Sequence, residues 1–354
     1  MNIAPSIGTL IKAEPCEEAA RWDAYVQSSP EATNYHRWVW GQLVGDTFGH
    51  RFYPLAATAD GIVYGILPLH FIKSRLFGRF LLSVPFFSYG GLCATTPEAG
   101  EALLKRSVEL ARELGARYIE LRGPVGPAGA VGSDWRGASA KVRMLVNLPG
   151  TVEELWQSLA TGMRNKIRSA RKHGLCAEWG GAELVDVFYR IFATNMHNLG
   201  TPVYPRRWFE NMCRALPEKN RIVVVRDGAE PVAAGIVTAF RDTLDWPWSA
   251  TLPGSHRKYS AIFLYWSLLE WALENGFRHV DLGRCSRGGG TWEFKRHWPC
   301  EEQELRWHYW LAPGEPVPNV KPDNPRYRLA IKLWQRLPLA MANRLGPHIA
   351  SSIP

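Results

Sequence analysis

Charged and apolar residues recur at helical spacing from Glu109 to Leu114, Gly115 follows, and the chain then switches to a period of two through Arg117-Tyr118-Ile119-Glu120-Leu121. The same order returns 161 residues later, where a helical stretch closes at Gly276 and Arg278-His279-Val280-Asp281-Leu282 alternates. Glycine accepts the left-handed conformation that ends a helix, and alternation of period two turns one face of a strand to a core. Glu109 and Glu270, Ala111 and Ala272, Glu113 and Glu274, Gly115 and Gly276, Arg117 and Arg278, and Leu121 and Leu282 coincide at that offset. Identity and pattern together indicate an internal duplication.

Upstream of each copy the pattern predicts three strands, at 51–58, 62–71 and 79–89 in the first half and at 221–226, 231–240 and 243–251 in the second. The first two of each set are joined by Asp60-Gly61 or Asp227-Gly228, which suit tight hairpins. Meander, helix and strand, repeated, predict a mixed α/β (α+β) fold in which each half is a mostly antiparallel sheet flanked by helices, not a doubly wound dinucleotide fold. Near Pro149-Gly150 the sequence Thr151-Val152-Glu153-Glu154 has capping-box chemistry and starts a helix. A Pro/Gly/Asn-rich stretch occupies 313–325, so the division expected is 1–149, 150–312 and 313–354. The last segment is a linker followed by a basic amphipathic helix.

A chain of 354 residues exceeds the roughly 250–300 that one core organises, which agrees with two domains. At 46% hydrophobic and 21% charged it is not a disordered polymer, and most of its 16 tryptophans are assigned to packing. The net charge of +9 favours anionic partners. The six cysteines (Cys16, Cys93, Cys176, Cys213, Cys285, Cys300) are scattered, which argues against a zinc site or a disulfide framework. The first residues do not read as a signal peptide, and no window holds about 18 uninterrupted apolar residues. The expectation is a cytoplasmic protein.

Three segments carry candidate chemistry. Residues 163–174 hold Arg164, Lys166, Arg168, Arg171 and Lys172 with no acid nearby. On a helix Arg164, Arg168 and Arg171 share a face, with Lys172 beside it, a field suited to a pyrophosphate or an RNA backbone. The plain alternative is a solvated basic face near a helix C-terminus. Residues 195–205 form a loop stiffened by Gly200, Pro202 and Pro205 that carries His197, Asn198, Thr201 and Tyr204, either toward a substrate or as a mere connector. In the third, a strand ends at Gly283, a glycine-rich stretch at 285–290 carries Arg287 after Arg284, and a short element delivers Lys295 among Trp292, Phe294 and Trp298. Consecutive glycines expose N–H groups that suit an anion or oxyanion; the alternative is a turn with Lys295 reaching for water. Walker, G-x-G-x-x-G and G-x-S-x-G patterns are absent, and Cys285 reads more readily as a small buried hydrophobe than as a nucleophile. In the tail, Tyr327, Ile331, Trp334, Leu337 and Met341 share a helical face opposite Arg328, Lys332, Gln335 and Arg336, with a kink expected at Pro338. Such a segment lies on anionic lipid or docks on its own body.

Arg164-Asn165-Lys166-Ile167-Arg168-x-Ala170, then Leu199-Gly200-Thr201-Pro202-Val203, then Asp281-Leu282-Gly283-Arg284 followed by Phe294-Lys295-x-x-Trp298, resemble the FemAB-type acyltransferases. The likeness is greatest to the FemAB-related branch associated with exopolysaccharide and exosortase (PEP-CTERM) loci, and the sequence also resembles the CelD/BioF-like acetyltransferase domain. It covers most of the chain and is strongest over 151–311. The resemblance implies two tandem GNAT-like domains, with an activated amino acid passing from aminoacyl-tRNA to an amine on a nucleotide-linked peptidoglycan precursor. It also implies that Phe294 and Lys295 lie at the reaction centre, with Lys295 opposing negative charge on the acyl carbonyl or the departing group. Arg164, Arg168 and Arg284 are the phosphate-holding candidates, joined in substrate binding by Asn165, Thr201, Tyr204 and Arg287. A base is needed to keep the acceptor amine neutral, and Asp281, Glu293 and His297 are the candidates.

The chain has neither the helical-hairpin arm inserted in several Fem enzymes nor a Q/R-x-x-G-x-G/A loop opening a helix, so aminoacyl-tRNA and acyl-CoA both stay open as donors. No tightly bound cofactor and no metal is expected. The activity expected is amide formation on an amino-bearing sugar or a cell-envelope or exopolysaccharide precursor, with an anionic nucleotide- or lipid-linked sugar or peptide as partner. The alternatives are CoA-dependent N-acylation of a nucleotide sugar and a catalytically silent module drawn to the inner membrane by the basic tail.

Overall fold

The computed structural model describes residues 10–75, 77–123, 134–318 and 325–353, with the side chains of 138–140 and 325–327 excepted. Along the chain run β1 (Lys12–Pro15), α1 (Ala19–Ser28), α2 (Trp38–Phe48), β2 (Arg51–Ala59), β3 (Ile62–Ser74), β4 (Gly78–Leu82), β5 (Cys93–Ala94), α3 (Pro97–Leu114) and β6 (Tyr118–Arg122). Next come β7 (Trp135–Asn147), α4 (Val152–Ser158), α5 (Thr161–Lys172), β8 (Leu175–Gly180), α6 (Val185–Asn198), α7 (Arg206–Ala215), β9 (Asn220–Asp227), β10 (Glu230–Phe240) and β11 (Thr243–Thr251). The remainder is α8 (Ser260–Glu274), β12 (His279–Ser286), α9 (Gly290–Lys295), β13 (Cys300–Leu311), α10 (Pro325–Arg336) and α11 (Leu339–Ala350). Among the described residues no helix is long and apolar enough to cross a membrane.

The first compact unit comprises Met1–Lys141, Glu304–Val320 and Ser352–Pro354. Its strand order is β1-β2-β3-β4-β6-β13, antiparallel except where β4 and β6 pair in parallel over Phe80–Leu82 and Tyr118–Glu120. The Asp60-Gly61 turn has φ values of 49° and 78°, the left-handed pair a two-residue hairpin needs. Helix α3 opens on Thr96, whose hydroxyl accepts from the Ala99 N–H, and closes on Gly115 at φ 61°. It lays Leu103, Leu104, Leu110 and Ala111 on a core shared with Leu67, Leu81 and Ile119. The strand expected at 79–89 stops at Leu82, because Pro85 has no N–H to give a ladder and Phe86 sits at φ 73°.

The second unit comprises Val142–Gln303 and Lys321–Ser351, with the order β7-β12-β11-β10-β9-β8. The chain therefore differs from a plain 1–149 and 150–312 succession. The first unit takes β13 from beyond its own half of the sequence, and Trp307–Leu311 of β13 pairs antiparallel with β6. The meander, helix and parallel-strand sequence of the first unit recurs as β9, β10, β11, α8 and β12, with Thr243–Asp245 pairing in parallel with His279–Asp281. The helix expected after Thr151 is two helices, α4 and α5, separated at Leu159-Ala160; the Thr151/Glu154 capping box is present.

At the end of the second unit Pro338, which cannot continue a helix, separates α10 from α11 instead of kinking one helix. Ile331, Trp334 and Leu337 are half-buried, so the apolar face read from the sequence docks on the body. The Tyr327 side chain lies outside the described residues, and Met341 is exposed.

Candidate functional site

Where β11 and β12 part, their chemistry concentrates. The two strands pair for only three residues and then run on, to Thr251 and Ser286, without pairing to each other. Parallel strands that diverge open a wedge between them into which an extended ligand can enter. The divergence begins beside Gly283 at φ 80°, where a Cβ would lie 3.1 Å from the Trp246 carbonyl oxygen. A side chain is strained there on both counts. Contrary to the sequence reading, β12 does not end at Gly283 but continues to Ser286, and the loop narrows to the three residues before α9.

Lys295 closes this corner. Its side chain is buried, and Nζ donates to the carbonyls of Gly283 (3.1 Å) and Arg284 (3.3 Å). Burial pushes the ammonium below its ordinary pKa, a shift opposed by the nearby Cys285 and Asp281. The reading of Lys295 as a solvent-reaching side chain is thus excluded. Asp281, equally buried, accepts from the Gly283 N–H through Oδ1 (2.7 Å) and faces Arg143 Nε through Oδ2 at 3.0 Å. One carboxylate therefore holds the turn of the strand and balances a cation.

An aromatic shelf lies alongside. Tyr265 packs edge-on to Phe294 at 4.8 Å, stacks on Trp298 at 5.6 Å and tilts against Trp246 at 4.4 Å. Such a surface holds water away from the ammonium and strengthens its field. Cys285 is buried, its thiol directed at the Val142 carbonyl, and Cys300 donates to the Lys295 carbonyl with its pKa pushed up to about 11 by burial. Neither carries the marks of an activated nucleophile.

The other sequence candidates divide. Arg287 is 3.0 Å from Glu302, which also accepts from the Trp292 indole, so it ties the loop to β13. Arg284 and His297 are exposed, and Glu293 is exposed 3.7 Å from Arg296. On α5, Arg164 donates to Gln157 and Thr161, Arg168 donates to Asn165 and lies 5.1 Å from the Trp156 ring, and Arg171 pairs with Glu270. This basic face is braced on α4 and α8, and among the described residues none of these contacts reaches Lys295. The 195–205 loop is largely spent on packing: His197 Nε2 meets the Leu337 carbonyl at 2.9 Å, the Asn198 carbonyl accepts from Gln335, and Gly200 faces Ile331. Thr201 is exposed, and the Tyr204 ring lies 6.2 Å from Trp248. His197 and Asn198 are placed as the connector alternative has them. Sequence reasoning passed over Arg143, Trp246 and Tyr265. A buried Asp281 demanded a cation, and the alternation in β7, with Val142, Met144 and Val146 inward, offered Arg143.

Residues 157–296 match the family model of the acetyltransferase (GNAT) domain, a span that contains α5, the diverging strands and Lys295. No curated protein sequence matches the chain significantly. Among solved structures, FemX is similar over 90% of this chain and 100% of its own, with 15% identity and a TM-score of 0.63. A C-terminal domain assigned to a lysylphosphatidylglycerol synthetase of Agrobacterium fabrum covers 82% of this chain and 90% of its own at 12% identity and a TM-score of 0.54. A tandem GNAT protein from the clavulanic acid biosynthesis pathway covers 87% of this chain and 100% of its own at 13% identity and a TM-score of 0.55. The FemAB-type resemblance and the tandem GNAT-like fold read from the sequence are borne out at the level of the fold.

Proposed function

We propose that the chain, an acyltransferase of the GNAT type by its matched domain and its fold, forms an amide between an acyl or aminoacyl group and an amine on an amino-bearing sugar or cell-envelope precursor. The observation that carries this reading is the buried Lys295 ammonium at the divergence of β11 and β12. The donor's acyl arm enters the wedge between the diverging strands. The amine lone pair attacks the acyl carbon, the C–N bond forms, and the bond to the donor's oxygen or sulfur breaks with its electron pair. The proton lost by nitrogen ends on the departing group. Lys295 opposes the negative charge that develops on the acyl oxygen or the departing atom, where fixed charge in a dry site has most effect. The FemAB-type resemblance of the sequence and the likeness to a domain assigned to a lysylphosphatidylglycerol synthetase favour an aminoacyl donor and an envelope acceptor. The acetyltransferase match favours a second reading with acyl-CoA as the donor. The basic face of α5 and the exposed Arg284 are the places for substrate phosphate.

The test is single-turnover transfer from charged tRNA and from acyl-CoA to amino-sugar and peptidoglycan precursors, with wild type and Lys295→Met. A lost oxyanion donor lowers the rate by about 10²–10³-fold, and that loss at unchanged donor affinity is the expected result. Wild-type rates in the variant would overturn the assignment.

A further inference from the structure

Among the described residues, helices α10 and α11 bear the densest exposure of apolar side chains. Among the described residues nine large hydrophobic side chains are exposed, and five of them, Leu329, Leu333, Leu339, Met341 and Leu345, lie on these two helices. Apart from Met341 they are not the face read from the sequence, because Ile331, Trp334 and Leu337 are half-buried against the body. The chain thus uses one apolar stripe of α10 for docking and leaves a second in water. On α10 the steps of 100° per residue put Leu329 and Leu333 together, with Lys332 and Arg336 along one side. On α11 the same steps put Met341 and Leu345 together with Arg344 beside Met341, and Leu339 on the far side of the helix. Arg328, Lys332, Arg336 and Arg344 are all exposed, and from residue 325 to residue 354 the sequence contains no Asp or Glu.

We propose that this surface is a docking face for an anionic lipid bilayer, on which both helices lie in the plane of the headgroups. The charge identifies the occupant. A second copy of the chain would set the same cations against one another, so a two-fold contact through this stripe is repulsive. Leucine and methionine entering the headgroup boundary, with long cationic stems reaching the phosphates, are what a bilayer accepts. Each juxtamembrane Lys or Arg adds to the attraction, and the sum is enough for reversible rather than permanent attachment. The inference stands apart from the donor and acceptor proposed above.

Flotation of the full chain with vesicles tests it, comparing phosphatidylcholine containing phosphatidylglycerol with phosphatidylcholine alone. The expected result is binding to the anionic vesicles only, weakened by salt. Arg328→Gln/Lys332→Gln/Arg336→Gln lowers the partition coefficient by about a hundredfold, and Leu329→Ser/Leu333→Ser/Met341→Ser by at least about tenfold. Both leave the melting temperature in place because the substituted side chains are exposed. The idea is overturned if wild type stays with the unbound fraction, if it binds neutral vesicles equally, or if the variants bind as wild type does. It is also overturned if the leucine and methionine substitutions instead abolish a concentration-dependent dimer that ignores vesicles.

Discussion

Gly283 and Asp281 show how much of the site is backbone. At φ 80°, with the Trp246 carbonyl 3.1 Å from any added Cβ, Gly283 lets β12 turn its carbonyl toward Lys295. Gly283→Ala incurs both the left-handed penalty, about 1–2 kcal/mol, and a clash with backbone. Gly228→Ala has a similar φ of 61° but nothing within 4 Å, and carries the first cost alone. Urea unfolding therefore places Gly283→Ala clearly below Gly228→Ala, with transfer activity lost only in the former; equal stabilities would remove the clash from the account. Asp281 can be sorted the same way. Its carboxylate is 2% exposed and 3.0 Å from Arg143, so Asp281→Ala takes a buried counter-charge from the cation and costs about 3 kcal/mol, part of which returns in Asp281→Ala/Arg143→Met. A general base without a structural duty would lose activity at unchanged stability. The sequence displayed Asp281 and Lys295 but not this dependence, since which cation answers a buried carboxylate is settled by strand neighbours far apart in the chain.

Pairs of strands, more than single residues, distinguish the two units. At the 161-residue offset Glu120 corresponds to Asp281 and Arg122 to Gly283, and both units pair three residues of parallel strand at this point. In the first unit the position that Gly283 leaves open is filled. Arg122 is buried, pairs with Glu120 at 2.7 Å, donates to the Phe87 carbonyl at 2.9 Å and lies 4.6 Å from the Trp307 ring. The first unit consequently has no room where the second has its divergence, and calorimetric titration with a non-transferable donor analogue gives one site per chain, not two. Helix, glycine and strand were legible in both copies because each is a local signal. Residues 83–92 were not, since apolar residues packed as irregular chain share the composition of a strand. A further consequence concerns α10, which rests on Gly200 with Ile331 Cγ2 2.5 Å from a would-be Cβ. Gly200→Val lifts the helix, and trypsin then cuts at Arg328, Lys332 and Arg336 faster than in wild type while the remainder of the chain resists.

For the molecule as a whole, duplication was readable from the sequence, but the return of β13 to the first unit was not. Trp307 pairs with Arg122 across a separation that no periodicity spans, and alternation in β13 is equally compatible with either neighbour. The acid response belongs to this scale as well, because it is carried by histidines built into the first unit. His36 Nδ1 accepts from the Thr33 N–H at 2.9 Å and Nε2 faces the Gly91 carbonyl at 3.1 Å, an arrangement for the neutral ring with its proton on Nε2. Burial brings its pKa down to about 4, and that of His70 down to about 3. Both values lie below the unfolded histidine value of about 6.5, so as pH falls the unfolded chain takes up protons that the folded one refuses. Stability is full above about pH 6.5 and declines toward pH 4, with His36 alone accounting for about 3 kcal/mol across that window. Urea midpoints measured from pH 7 to pH 4 fall accordingly in wild type. His36→Gln starts lower, having lost a fitted ring, but falls less steeply; an unchanged slope in that variant would place the acid sensitivity elsewhere.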